Sequence, residues 1–220
     1  MIIDLHVHSD ISDDGMATAE AYLKWISRLR RRYHFDGIVF TEHRSFRPAK
    51  EYEKLGRQYE IFIGTGMEAE TDCGHFLLYG VNEKLLQRFD FSDVHLRAEE
   101  LIKETMALGG IAIPSHPGRR VIGFCDYIDS GQDFSGIKAI EHLNGGNKPE
   151  ENQRAEALMR ARNYFGTGGS DAHFVSAVGT YMTAFQNPVH SMEELVEELY
   201  KGAYRAIALS EAAREEGNPW

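Results

Sequence analysis

Apolar runs of strand length alternate with helical periodicities along almost the whole chain, and this rhythm constrains the fold more than any single motif. Strand candidates are residues 2–7, 37–41, 61–68, 76–80, 111–115, 137–143, 164–169 and 180–185. They are nearly continuous in apolar residues, as strands covered on both faces are. Helical patterns fill residues 18–34, 92–110, 149–163 and 191–202. Thr18, Ser92 and Ser191 are the expected N-caps, Pro149 suits a first helical position, and Glu194 completes a capping box. The Gly109–Gly110 pair and Gly202 read as stops. Tyr22, Trp25, Ile26 and Leu29 fall on one face of the first helix, an apolar stripe that reads as core.

Strand–helix alternation implies parallel pairing through helical crossovers, hence an α/β fold that is either a barrel or an open doubly wound sheet. No Gly-rich nucleotide fingerprint follows any strand, which counts against an open dinucleotide-binding sheet. No linker or repeat interrupts the pattern. Residues 1–209 read as one domain, and 210–220 as a frayed or disordered tail. The formal charge of −10 over 220 residues disfavours duplex nucleic acid as a partner. The local exception, the basic run Arg28–Arg32, falls late in the first helix, where cations suit the helix dipole. No apolar run approaches the ~20 residues of a membrane span. The opening residues lack the basic start of a signal peptide. Cys73 and Cys125 belong to no CxxC pair, so a reducing cytoplasmic setting is expected.

Within this frame the histidines are not scattered. His6 and His8 close the first strand, two apart and therefore on one face, with Asp4 one pleat deeper as an expected support for an imidazole. His43 follows the second strand and His116 the fifth; His173 ends the motif GGSDAH, and His75 begins a strand instead of ending one. Asp13 and Asp14, Glu42, Glu68 and Asp171 occupy similar positions. Loops at the C-terminal ends of barrel strands converge on one face. Such a cluster would bury mutually repelling polar groups unless cations neutralised it. A thiol-free set of His and carboxylate donors suits Zn, Mn or Fe. His34, His95, His142 and His190 lack this context and read as surface or satisfied core residues, and Glu42 reads as a group that orients or solvates His43.

Six ordered segments, DLHVHSDISDDG, GIVFTEH, GTGMEAETDCGHFLLYG, IAIPSHPGR, AIEHLNGGN and GTGGSDAH, resemble the PHP (polymerase and histidinol phosphatase) family of metal-dependent phosphoesterases from about Met1 to Leu209. The resemblance implies a distorted seven-stranded TIM-like (β/α) barrel with two or three divalent ions at the C-terminal strand ends. One ion would be held by His6, His8, Glu68 and Asp171, a second by Glu68, His116 and His75, and a third by Asp14, His43 and His173. Asp13 also fits the spacing of the acid in the first segment; Asp14, which precedes Gly15, is preferred. The third histidine stands in TEH where TDH is more usual.

The expected activity is hydrolysis of a small phosphomonoester or cyclic phosphodiester by a metal-activated water. Arg119 could grip a phosphate oxygen through its planar fork, and Asp171 or His173 could protonate the leaving oxygen. Asn144 is a candidate pocket residue, and Phe46, Phe124 and Tyr127 are candidate aromatics near the mouth. A nuclease acting on oligonucleotide ends is the alternative enzyme, and a metal-binding regulatory domain with little activity the alternative of another class.

Overall fold

The structure is a computed structural model that describes residues 1–214. Its strands, in chain order, are β1 (Ile2–Val7), β2 (Gly37–His43), β3 (Phe62–Thr71), β4 (Gly74–Tyr79), β5 (Ile111–Pro114), β6 (Ala139–Asn144), β7 (Phe165–Gly169), β8 (Tyr181–Phe185) and β9 (Tyr204–Ala208). The α-helices are α1 (Ala19–Leu29), α2 (Glu53–Tyr59), α3 (Glu83–Arg88), α4 (Ala98–Ala107), α5 (Pro149–Arg162) and α6 (Met192–Lys201). Seven strands form one curled sheet in the order β5-β4-β3-β2-β1-β8-β9, and β6 pairs with β7 in a second, two-stranded sheet.

The pairing departs from an all-parallel seven-stranded barrel. β1, β2 and β3 are parallel neighbours, as are β6 and β7, but β4 is antiparallel to both β3 and β5, and β8 to both β1 and β9. The reason is connection length. Only Asp72 and Cys73 separate β3 from β4, whereas a parallel return takes a dozen or more residues. The reversal has a useful consequence: the start of β4 lies beside the end of β3, so Glu70 pairs with His75. A histidine that begins a strand thus reaches the same end of the sheet as those that finish one. The two sheets meet beyond β7, where Asp171 donates its N–H to His6 O at 2.8 Å and His8 donates to Ala172 O at 2.9 Å.

α1 begins as its sequence suggests, with Thr18 Oγ1 accepting from Ala21 N–H at 3.1 Å, and buries Tyr22, Leu23 and Ile26 against Phe35, Ile38 and Phe40. Of the basic run, Arg30 turns back to donate from Nη1 to the carbonyls of Tyr59 and Glu60 at the end of α2, while Arg31 and Arg32 are exposed. The helix expected from Ser92 starts only at Ala98. Asp90 accepts from Ser92 N–H and Asp93 from His95 N–H, and these side-chain turns compete with helix; Asp72 then caps Ala98 N–H at 3.0 Å. α5 has Pro149 in its first turn, and Ser191 caps α6. Glu194 also reaches back, to His190 N–H. Of the expected tail, Leu209–Ala212 form a 3-10 turn with Ala212 buried, and Arg214 N–H donates to Arg32 O; residues 215–220 lie outside the described part. Among the described residues no helix is long and apolar enough to cross a membrane.

Candidate metal centre

His6 and His8 do share a face, and the curl of the sheet brings the ends of β1, β2 and β3, the start of β4 and the segments after β5 and β7 around them. His6 Nε2 and His8 Nε2 stand 2.9 Å apart. Glu68 Oε2 lies 3.1 Å from the first and 3.2 Å from the second, and Asp171 Oδ1 lies 3.4 Å from each. Four donor atoms about 2.0–2.1 Å from a tetrahedral ion stand roughly 3.3 Å from one another. The observed edges match that cage, and all four residues are buried.

Glu68 belongs to a second donor group through its other oxygen. Oε1 lies 2.8 Å from His116 Nε2 and 3.3 Å from His75 Nδ1, and accepts from Ser115 Oγ at 2.7 Å. A third group lies towards solvent: Asp14 Oδ2 stands 3.0 Å from His173 Nε2 and 3.8 Å from His43 Nε2, and the His8 ring, a member of the same group, stacks on both His43 and His173. Asp13 is directed away, into an ion pair with Arg44 Nη1 at 2.9 Å. The donor set therefore suits divalent cations, and Asp14, not Asp13, lies in the third group.

Without cations the buried imidazoles and carboxylates balance one another's charge. Burial opposes charge on Glu68 and Asp171, yet the facing His6, His43 and His116 carry Glu68 well below the usual carboxylate range, and His6 and His8 do the same for Asp171. Burial would lower His6, but Glu141, Asp171 and Glu68 raise it well above its ordinary value. His8 is likewise lifted against burial, to about 9, by Asp171 and Glu68. Burial dominates at His43 and His116, which are lowered, and the Nδ1 atoms of both are buried with no hydrogen-bond partner among the described residues. Two residues of the donor groups have left-handed backbone, His116 at φ 32° and Asp171 at φ 53°. Non-glycine residues held there cost of order 1–3 kcal/mol each and cluster at functional sites.

The neighbouring residues differ from expectation in instructive ways. Asp4 touches no imidazole ring: its carboxylate accepts the backbone N–H of Ser170, Gly179 and His6, pinning the segment after β7 to β1. Glu42 braces the first loop through Ser9 and Ser12 instead of meeting the His43 ring. The group that supports a site imidazole is Glu141, whose Oε1 lies 2.9 Å from His6 Nδ1. Its signal in sequence is a lone carboxylate inside an apolar strand run. Arg119 is neither a plain surface residue nor wholly free: Nη2 donates to Asp171 Oδ2 at 2.6 Å and Asn144 Oδ1 at 3.0 Å, and Nε to Asn147 Oδ1 at 2.7 Å. Nη1 makes no hydrogen bond among the described residues. Asn144 is buried and its Nδ2 reaches Asp171. Of the aromatics expected near the mouth, Phe124 is buried between Phe76 and Phe134, and Phe46 packs on that same core. Tyr127 is tied through its hydroxyl to Val121 O. His34, His95 and His190 are exposed; His142 is half-buried with Nδ1 unpartnered.

Comparison with known proteins adds an independent line. The family model for a PHP-associated region matches residues 149–204, from α5 to the start of β9. PsfC from Pseudomonas syringae shares the fold with a TM-score of 0.63 at 18% identity, over 96% of this chain and 92% of that one. A protein from Bifidobacterium adolescentis assigned as a metal-dependent phosphoesterase gives a TM-score of 0.55 at 15% identity, over 90% and 95%. The lesion-specific endonuclease PfuEndoQ from Pyrococcus furiosus gives 0.63 at 16% identity, over 93% of this chain and 57% of that one. At these identities the likeness is one of fold.

Proposed function

We propose that this chain, a member of the PHP domain family, is a metal-dependent hydrolase of a small phosphomonoester or cyclic phosphodiester. The observation that carries the reading is Glu68: one buried carboxylate puts one oxygen into each of two adjoining donor groups, so two cations held there would lie side by side. Divalent ions at such a site supply an activated water and positive charge for the phosphoryl oxygens. His6, His8, Glu68 and Asp171 would hold one ion, Glu68, His75 and His116 a second, and Asp14, His43 and His173 a third.

The chain's own groups divide the remaining work. Arg119 keeps Nη1 available for a phosphate oxygen while Nη2 and Nε fix the guanidinium plane. Asp171 is a poor proton donor, because the imidazoles around it keep its carboxylate ionised and Arg119 occupies Oδ2. His173 donates from Nδ1 to Asp171 O and turns Nε2 towards the more exposed Asp14. When the third group carries no ion, His173 is the residue this reading assigns to the leaving oxygen.

Metal analysis of the purified protein, joined to a screen of phosphomonoesters, phosphodiesters and short oligonucleotides, tests the reading. Two or more ions per chain and release of phosphate or nucleotide are expected. His116→Ala and Asp171→Ala should each remove activity while the fold persists. Turnover confined to oligonucleotide ends would replace the small substrate by the nuclease alternative, against which the formal charge of −10 speaks. Ion binding without turnover would leave the regulatory reading.

A further inference from the structure

Glu141 is fully buried, in the middle of β6, and belongs to none of the three donor groups. A lone carboxylate in such a place costs several kcal/mol unless its lone pairs are met. Here they are met by groups that all lead to the metal centre. Oε1 accepts from His6 Nδ1 at 2.9 Å, and Oε2 accepts from the backbone N–H of His116 and from Asn144 Nδ2, both at 2.8 Å. Asn144 passes the connection on, since its Oδ1 accepts from Arg119 Nη2, which also holds Asp171 Oδ2. The chain makes room for this approach at Gly169, where a Cβ would stand 2.5 Å from Glu141 Oε1 and 2.5 Å from His6 Cβ.

We infer that Glu141 is the positioning residue of the site, a single carboxylate that sets His6, His116 and, through Asn144 and Arg119, Asp171 in one frame. Acceptance at Oε1 keeps the proton of His6 on Nδ1 and turns Nε2 inward as a donor. Acceptance at Oε2 holds the left-handed turn at His116, so that its ring meets Glu68. The two buried donor groups are thereby aligned by a residue that belongs to neither of them. Carboxylates behind ligating imidazoles orient the ring and raise its basicity, and their removal typically weakens metal binding about 10–100-fold.

This inference rests on the metal-hydrolase reading, and Glu141→Gln separates the two. The amide keeps the shape, but one of its ends carries an NH2. Whichever way it turns, that end faces either His6 Nδ1–H or the N–H groups of His116 and Asn144, donor against donor. Zinc competition with a chromophoric chelator should show inner-site affinity lowered about 10–100-fold. Proton–nitrogen NMR of the metal-free protein should show the His6 Nδ1–H resonance shifted or lost, which a merely structural role would not produce. Asn144→Ala, which leaves the Glu141–His6 contact in place, should keep that resonance and still weaken zinc binding.

Wild-type zinc affinity in Glu141→Gln overturns the inference while leaving the metal-hydrolase reading intact. Should Glu141→Gln not fold, Asn144→Ala decides: unchanged zinc affinity in that variant overturns the inference. A wild-type protein that takes up no zinc, manganese or iron removes the metal-hydrolase reading itself. The His6 resonance then still judges the positioning role, and an unchanged signal in Glu141→Gln overturns it.

Discussion

Glu68 shows how much one side chain can be asked to do when strands deliver it correctly. Its backbone pairs with His43 across β2–β3 and with Leu77 across β3–β4, so its position is fixed from both sides. Its two oxygens then face different imidazoles. Glu68→Gln keeps the volume but presents an NH2 to one of the two groups. The expected outcome is the loss of at least one bound ion, read by elemental analysis, and a fall in kcat of about 100-fold or more, since a metal ion's charge stabilisation is worth several kcal/mol. Retention of full ion content with unchanged kcat would show that Glu68 does not bridge. His8, together with His6, sets the pH dependence. Raised to about 9 in the metal-free protein, His8 carries a proton at pH 7 that an arriving cation must displace. Metal uptake should therefore release protons at neutral pH and strengthen as pH rises towards 9, which titration calorimetry in buffers of different ionisation enthalpy reads directly. The sign for metal-free stability follows. A folded value above the ordinary 6.5 gives a contribution complete below 6.5 and lost as pH rises through about 9.

At the scale of elements, the site is a meeting of strand ends, and those ends were legible because a polar residue closing an apolar run has few other reasons to be there. The segments around His6, His43, Glu68, His116 and Asp171 stood out for that reason. What escaped was set by contacts remote in sequence. The start of α4 depends on Asp72, contributed by the β3–β4 turn, and β9 is a short, half-exposed alternation that needs β8 beside it. Glu141 looked like an ordinary strand residue until His6 was placed opposite it. The reversal of β4 was visible only as a two-residue gap, and it explains His75. The approach of β7 to β1 is the most demanding of these junctions, and Gly169 is its hinge. Gly169→Ala puts a methyl 2.5 Å from His6 Cβ and 3.1 Å from His6 N, and the backbone there cannot step aside without moving β1 from β7. Overpacking of this kind costs about 1–3 kcal/mol. Chemical denaturation should show that loss together with weaker metal binding, because His6 sits on β1 and Asp171 on the segment that directly follows β7. A variant as stable as the wild type with full affinity would show that the junction has slack.

For the whole molecule the donor set acts as a clasp. Its ligands come from β1, the loop after it, β2, β3, β4 and the segments following β5 and β7, so both sheets and most of the chain's length are joined at one point. The hydrophobic core is divided by comparison, into three clusters of buried residues, with Ile38 and Phe40, Phe76 and Leu78, and Ile3 and Leu5 in separate ones. Without cations the centre gathers buried carboxylates and imidazoles whose balance depends on captured protons. Cations held there would bind the folded state and not the unfolded one. A ligand at 100 times its Kd then adds about 2.7 kcal/mol, and for a domain of this size each kcal/mol moves Tm by about 2–4 °C. Removal of ions by a chelator should accordingly lower Tm by roughly 5–11 °C, and stoichiometric zinc or manganese should restore it. The same treatment of His116→Ala should produce a smaller shift, because its second donor group is already broken. Equal Tm values for loaded and stripped wild-type protein would show that the sheets hold their arrangement without the clasp, and that the buried centre is kept for chemistry alone.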